Sequence, residues 1–115
     1  MEPLELARAI VESLEDKKAE NIVLMDLQGI ASFTDYFVIC TGTSDRMLDA
    51  LAKGVTDDLR KKHRLKTPQP EGNASYGWLV LDFGNVIVHL FAPDQRQYYR
   101  LEELWSAGKI ILRLQ

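Results

Sequence analysis

Gly42-Thr43-Ser44 lies between an apolar run and a helical pattern, a place where backbone amides at a helix start favour an anion. A glycine-serine turn followed by two carboxylates on a later strand is the arrangement by which nucleotidyltransferases hold magnesium against a triphosphate. Here the later strand offers Leu81-Asp82-Phe83-Gly84, and Asp82 has no acidic residue two positions away. Asp26 and Asp35 are the other carboxylates a fold would have to bring to it, and nothing in their spacing requires that. The turn also lacks the long glycine-rich spacing and lysine of a P-loop and the GxGxxG of a dinucleotide site. A tight turn plus a helix cap is the plainer reading. The enzyme alternative is therefore a nucleotide-binding or nucleotidyl-transferring centre at Gly42, Ser44, Asp35 and Asp82. His89 has no nucleophile at a recognisable elbow. Two histidines and one cysteine, widely separated, are too few for a zinc site. We expect no catalytic residues, no metal and no cofactor.

Binding chemistry fits the same stretch better. Gly77 to Ala92 reads as two strands joined by Gly84-Asn85, a two-residue hairpin link. That turn sets Trp78 opposite Phe91, Val80 opposite His89 and Asp82 opposite Ile87. Because side chains alternate along a strand, Leu79, Leu81, Phe83, Val86, Val88 and Leu90 share one apolar face, which is core. The other face carries Trp78, Val80, Asp82, Ile87, His89 and Phe91. Aromatic residues with a carboxylate beside them resemble the centre of a recognition patch. The competing reading is a second helical layer over that face, with Trp78 and Phe91 as core and His89 hydrogen-bonded. A basic cluster, Arg60, Lys61, Lys62, His63, Arg64 and Lys66, has two readings as well. One is a solvated helix end whose cations suit the dipole; the other is a local RNA contact.

The elements that position these residues follow from periodicity. Leu4, Ala7, Ile10, Val11 and Leu14 behind Pro3 predict a helix over 3–18. Asn21 to Leu27 and Tyr36 to Thr41 read as an antiparallel pair of strands. Leu48, Leu51, Ala52, Val55 and Leu59 mark a helix running to His63, with Ser44 as its N-cap. Residues 66–75, with two prolines and a glycine, read as loop. The hairpin follows, then a helix opened by Pro93-Asp94 whose Tyr98, Leu101, Leu104 and Trp105 stripe is expected to be core. A short edge strand over 110–114 ends the pattern. The order α-β-β-α-β-β-α-β makes this an α/β chain of the α+β kind, with one mixed sheet rather than a doubly wound parallel one.

With 115 residues the chain reads as one domain, residues 1–115. Its 46% hydrophobic and 27% charged content is that of a globular protein, and a net charge of −3 argues against a protein that lives by coating nucleic acid. Cys40, the single cysteine, lies inside the apolar run Tyr36 to Cys40 and reads as a buried thiol. No segment approaches the roughly 20 apolar residues of a membrane span, and the start lacks a signal-peptide pattern, so a cytoplasmic chain is expected.

Taken together, Thr34 to Ser44, Glu71-Gly72, Trp78, Asp82-Phe83-Gly84, Val86 to His89 and Tyr98 to Trp105 resemble the ribosomal silencing factor family, also called Iojap-related. The resemblance covers nearly the whole chain in order. Asn85 stands where the family commonly has aspartate, and Asp45-Arg46-Met47-Leu48 replaces a more usual serine, arginine, histidine run. What the resemblance implies is a non-enzymatic translation repressor with a nucleotidyltransferase-like fold that lacks the catalytic carboxylate pair. It implies binding to the large ribosomal subunit through ribosomal protein fourteen, a steric block to small-subunit joining under nutrient limitation, and a homodimer when free. On that basis Glu71, Trp78, Val80, Asp82, His89 and Phe91 are the expected contacts to the ribosomal protein, with Trp78 and Phe91 as anchors. Arg60, Lys61, Lys62 and Arg64 are candidates for a peripheral rRNA contact.

Overall fold

The computed structural model describes residues 1–115. The elements are α1 (Pro3–Asp16), β1 (Glu20–Asp26), β2 (Tyr36–Thr41), α2 (Asp45–His63), β3 (Glu71–Asn73), β4 (Trp78–Asp82), β5 (Val86–Phe91), α3 (Pro93–Tyr99), α4 (Leu101–Leu104) and β6 (Lys109–Leu114), with a 3-10 turn over Ala74–Tyr76. The strands form one six-stranded sheet in the order β3-β4-β5-β2-β1-β6. Only β2 and β5, at its centre, run parallel. Both are buried along their whole length, which is why Phe37-Val38-Ile39-Cys40 and Val86-Ile87-Val88 read as unbroken apolar runs.

α1 and α2 cover one sheet face. Leu6, Ala7, Ile10, Val11 and Leu14 of α1 and Leu48, Leu51, Ala52, Val55 and Leu59 of α2 meet Ile22, Leu24, Val38, Cys40, Leu79, Leu81, Val88 and Leu90 in the larger core. α2 starts where Ser44 Oγ accepts from the Met47 amide at 3.0 Å and stops at Arg64, whose φ of 56° is left-handed. The two helices cross closely at Gly54, where a Cβ would fall on the Lys17 stem. Lys17 passes over that glycine to Asp58, and its ammonium, with the Ser13 hydroxyl, holds the Asp58 carboxyl below its usual range. Cys40 is fully buried in this core, and burial pushes its thiol up to about 12, so it is inert.

The hairpin has the register its turn predicts, with Trp78 opposite Phe91, Val80 opposite His89 and Asp82 opposite Ile87. Two expectations fail. Within the expected loop, Glu71–Asn73 pairs with β4 as a sixth strand. Its residues are all exposed, so no hydrophobic alternation marks it; it is held by its backbone. Gly72 makes that pairing close, since it sits at φ 96° and a Cβ there would lie 2.5 Å from the Trp78 carbonyl oxygen. The third helix is also not continuous. Arg100 at φ 45° divides it into α3 and α4, and the break rotates the Tyr98, Leu101, Leu104 and Trp105 stripe apart. Leu101 alone is buried; Tyr98 is 77% and Leu104 71% exposed.

Candidate functional site

β-Pairing carries the second sheet face outward to β3. Directly opposite residues of an antiparallel pair share a face, so Glu71 lies beside Val80, Val80 beside His89, and Asn73, Trp78 and Phe91 form the next row. Asp82, Ile87 and, through the parallel pair, Phe37 form a third. All six expected contact residues therefore lie on one face. Their burial divides them. Glu71 and Asp82 are exposed, and Trp78 and Val80 are half-buried. His89 is 7% exposed and Phe91 fully buried, so in the free chain both lie beneath the surface at which contact is expected of them. The reason is position: β5 is central, Trp78 stacks on Phe91 at 4.9 Å and 30°, and Tyr99 from α3 closes over both. The competing reading of a second helical layer is thus met in part. α4 and Leu27 contribute Leu101 and Leu27 to a smaller core with Val23, Met25, Phe37, Ile39, Ile87 and Phe91, and Trp78, Val80 and Trp105 pack at its margin.

His89 is the polar member of that core. Its Nδ1 accepts from the Trp78 indole Nε1 at 3.2 Å, which places the ring proton on Nε2. Nε2 is buried with no partner, and the ring lies edge-on to Phe37 at 4.5 Å and 71°. Burial pushes the imidazole down to about 4, because a charged ring has no compensating partner there.

Around this centre the structure gathers apolar residues that periodicity assigned to core or left in loops. Phe33 is 54% exposed and packs edge-on to Trp105 at 5.7 Å, while Trp105 lies 6.0 Å from Phe37. Tyr99 is 42% exposed and lies 4.5 Å from Trp78, with Tyr98 perpendicular to it at 5.0 Å. Aromatic density in segments without clean periodicity was the available signal. One polar clamp fixes the α3 end of the patch, since α3 buries none of its own residues. The Arg96 guanidinium donates to the Asn21 carbonyl at 2.8 Å, the Thr41 hydroxyl at 3.0 Å and Glu102 Oε2 at 3.0 Å. It thereby ties α3, α4, β1 and β2 together and holds Tyr99 over Trp78.

The residues of the enzyme alternative are occupied otherwise. Ser44 caps α2, Gly42 is packed against Leu48 and Leu51, and Asp82 Oδ1 accepts from the Gly84 amide at 2.8 Å as a turn residue. Asp26, Asp35 and Asp82 do fall at the same end of the sheet, by the starts and ends of their strands. No three His, Cys, Asp or Glu side chains come close enough to share a metal ion. In the basic cluster, Arg60 is engaged by Asp57 at 3.3 Å and Thr67 at 3.0 Å, whereas Lys61, Lys62, His63, Arg64 and Lys66 are exposed. Arg60 to His63 form the last turn of α2 and Arg64 and Lys66 follow it, and α2 packs on the sheet face opposite the aromatic one. No helix is long and apolar enough to cross a membrane.

Against known proteins, the chain matches the family described as "Ribosomal silencing factor during starvation" over residues 1–114. It is 39% identical over 92 residues to the ribosomal silencing factor of Bacillus subtilis, covering 80% of this chain and 77% of that protein. To the ribosomal silencing factor of Haemophilus influenzae it is 39% identical over 101 residues, covering 88% of this chain and 98% of the other. The X-ray crystal structure of a Chromobacterium violaceum protein superposes with a TM-score of 0.84 at 35% identity, over 92% of this chain and 88% of that one.

Proposed function

The chain belongs to the ribosomal silencing factor family, and from that premise we propose that it represses translation by docking its aromatic sheet face on the large ribosomal subunit. The partner in this reading is ribosomal protein fourteen, and the bound chain stands where the small subunit would join. The family names point to a ribosome-associated regulator rather than an enzyme. One observation carries the surface assignment: Trp78 and Val80 are left half-buried between exposed Glu71 and Asp82, with exposed Tyr99 against Trp78, Tyr98 against Tyr99, and exposed Phe33 against Phe37 and Trp105 of the same aromatic cluster. A monomer that leaves so many aromatic rings at one surface has a face suited to a partner. The two carboxylates at its rim suit a cationic protein.

Trp78 is the expected hot spot, with Phe91 and His89 supporting it from below. Trp78→Ala should weaken binding to purified large subunits by ~2 kcal/mol or more, about thirtyfold in Kd, with an unchanged circular dichroism spectrum. Co-sedimentation with separated subunits is the measurement, and undiminished binding of a folded variant would sink the assignment. Free of the ribosome, the chain is a homodimer in this reading. The Arg60, Lys61, Lys62 and Arg64 cluster makes a peripheral rRNA contact. Reversing Lys61 and Lys62 to glutamate should leave binding to the isolated ribosomal protein intact. On whole subunits it should flatten the salt dependence by roughly one unit of log-log slope per phosphate lost. An identical slope in the two proteins would leave the cluster as a solvated helix end.

A further inference from the structure

His89 is a poor core residue and a good tether. Leucine at its place would fill the space without leaving a ring nitrogen buried and unmet, as Nε2 is. What the imidazole contributes and leucine would not is an acceptor, and that acceptor is used by Trp78. Trp78 stands on β4, flanked on the outer side by the short all-exposed strand β3, and its ring packs on Phe91 and Tyr99; ring packing alone does not fix which way the indole nitrogen points. A half-exposed indole has several rotamers open to it and one N–H that seeks an acceptor. His89, by contrast, is fixed on the central strand β5 against the Phe37 ring. We infer that His89 is a positioning residue for the docking face: it holds the Trp78 indole by its nitrogen in one orientation, stacked on Phe91, and does not touch the partner itself. The inference rests on the docking reading of Trp78 given above. It also defines what the partner meets. With its N–H turned inward, Trp78 offers carbon surface only, which suits an aliphatic side chain or the stem of a lysine or arginine passing between Glu71 and Asp82.

The test uses the full chain labelled with nitrogen-15, with the Trp78 indole resonance identified by its loss in Trp78→Phe. His89→Phe should displace that resonance and speed its exchange with solvent. His89→Asn, whose Oδ1 can take the place of Nδ1, should restore it. In sedimentation with large subunits, His89→Phe should weaken binding roughly three- to tenfold, the worth of one lost hydrogen bond, and His89→Asn should recover most of that. On a Trp78→Ala background His89→Phe should change nothing further. His89→Leu replaces His89→Phe where the larger ring does not fold. An indole resonance that stays put in His89→Phe or His89→Leu overturns the inference, as does an equal loss of binding on the Trp78→Ala background. If the resonance moves but Trp78→Ala binds as well as wild type, the docking reading is what has failed, and the role assigned to His89 at the partner falls with it.

Discussion

Phe91→Ala should destabilise the fold by about 3–5 kcal/mol, the largest effect expected of any substitution on this face. Phe91 is fully buried on β5, beneath Trp78 and beside Tyr99, in the smaller core with Phe37, Ile39 and Ile87. Removing the ring leaves a cavity that the neighbouring strands cannot close, because β4 and β2 hold β5 by backbone pairing on both sides. Against a total stability of roughly 5–15 kcal/mol for a domain, that is a large share. Urea melts of the two variants separate wall from surface. Trp78→Ala, at a half-buried ring, should lose less stability and more binding; Phe91→Ala should lose stability first, with binding failing as the fold does. If instead Phe91→Ala melts like wild type and only its ribosome binding is lost, Phe91 is a contact after all and the burial seen here is not the bound state.

That contrast marks how much of the site was legible in the sequence. The Gly84-Asn85 turn and strict alternation were enough to place Trp78, Val80, Asp82, His89 and Phe91 on one face, and their register is as expected. Alternation says which face a side chain takes, and nothing of what lies above it. Phe91 and His89 are covered because Trp78 and Tyr99 lie over them, a tertiary fact with no local signal. β3 carries no periodic signal because Glu71-Gly72-Asn73 has no apolar member to alternate. The Tyr98 to Trp105 stripe misled for the opposite reason: its spacing is helical, yet Arg100 takes a left-handed φ that no proline or glycine announces. Tyr98 and Tyr99, just before that break, are both left exposed. The helices α1 and α2, with long stripes and a clear cap at Ser44, had no such competing influence.

The second large effect is on acid stability. The imidazole of His89 sits at about 4 when folded and near 6.5 when the chain is unfolded. Because its folded value is depressed, its unfolded form binds the proton first. Stability is therefore whole above about pH 6.5, declines as pH falls through 6.5 towards 4, and levels off below 4, for a total loss of about 3 kcal/mol. Two physical terms act in the same direction. Charging the ring places an unpaired cation in an apolar core, and it puts a second donor at Nδ1, facing the Trp78 N–H that Nδ1 now accepts. Carboxylates titrate in a different window: Asp58, held low by Lys17 and Ser13, stabilises above about pH 4 and loses that contribution only below it. The difference between wild type and His89→Phe cancels the rest of the protein. Urea midpoints measured from pH 7.5 to 4.5 should fall more steeply for wild type, with the gap opening near 6.5. Parallel curves would mean that His89 takes up its proton without penalty. In that case neither its burial nor its bond to Trp78 persists in solution, and the single orientation of the indole is lost with them.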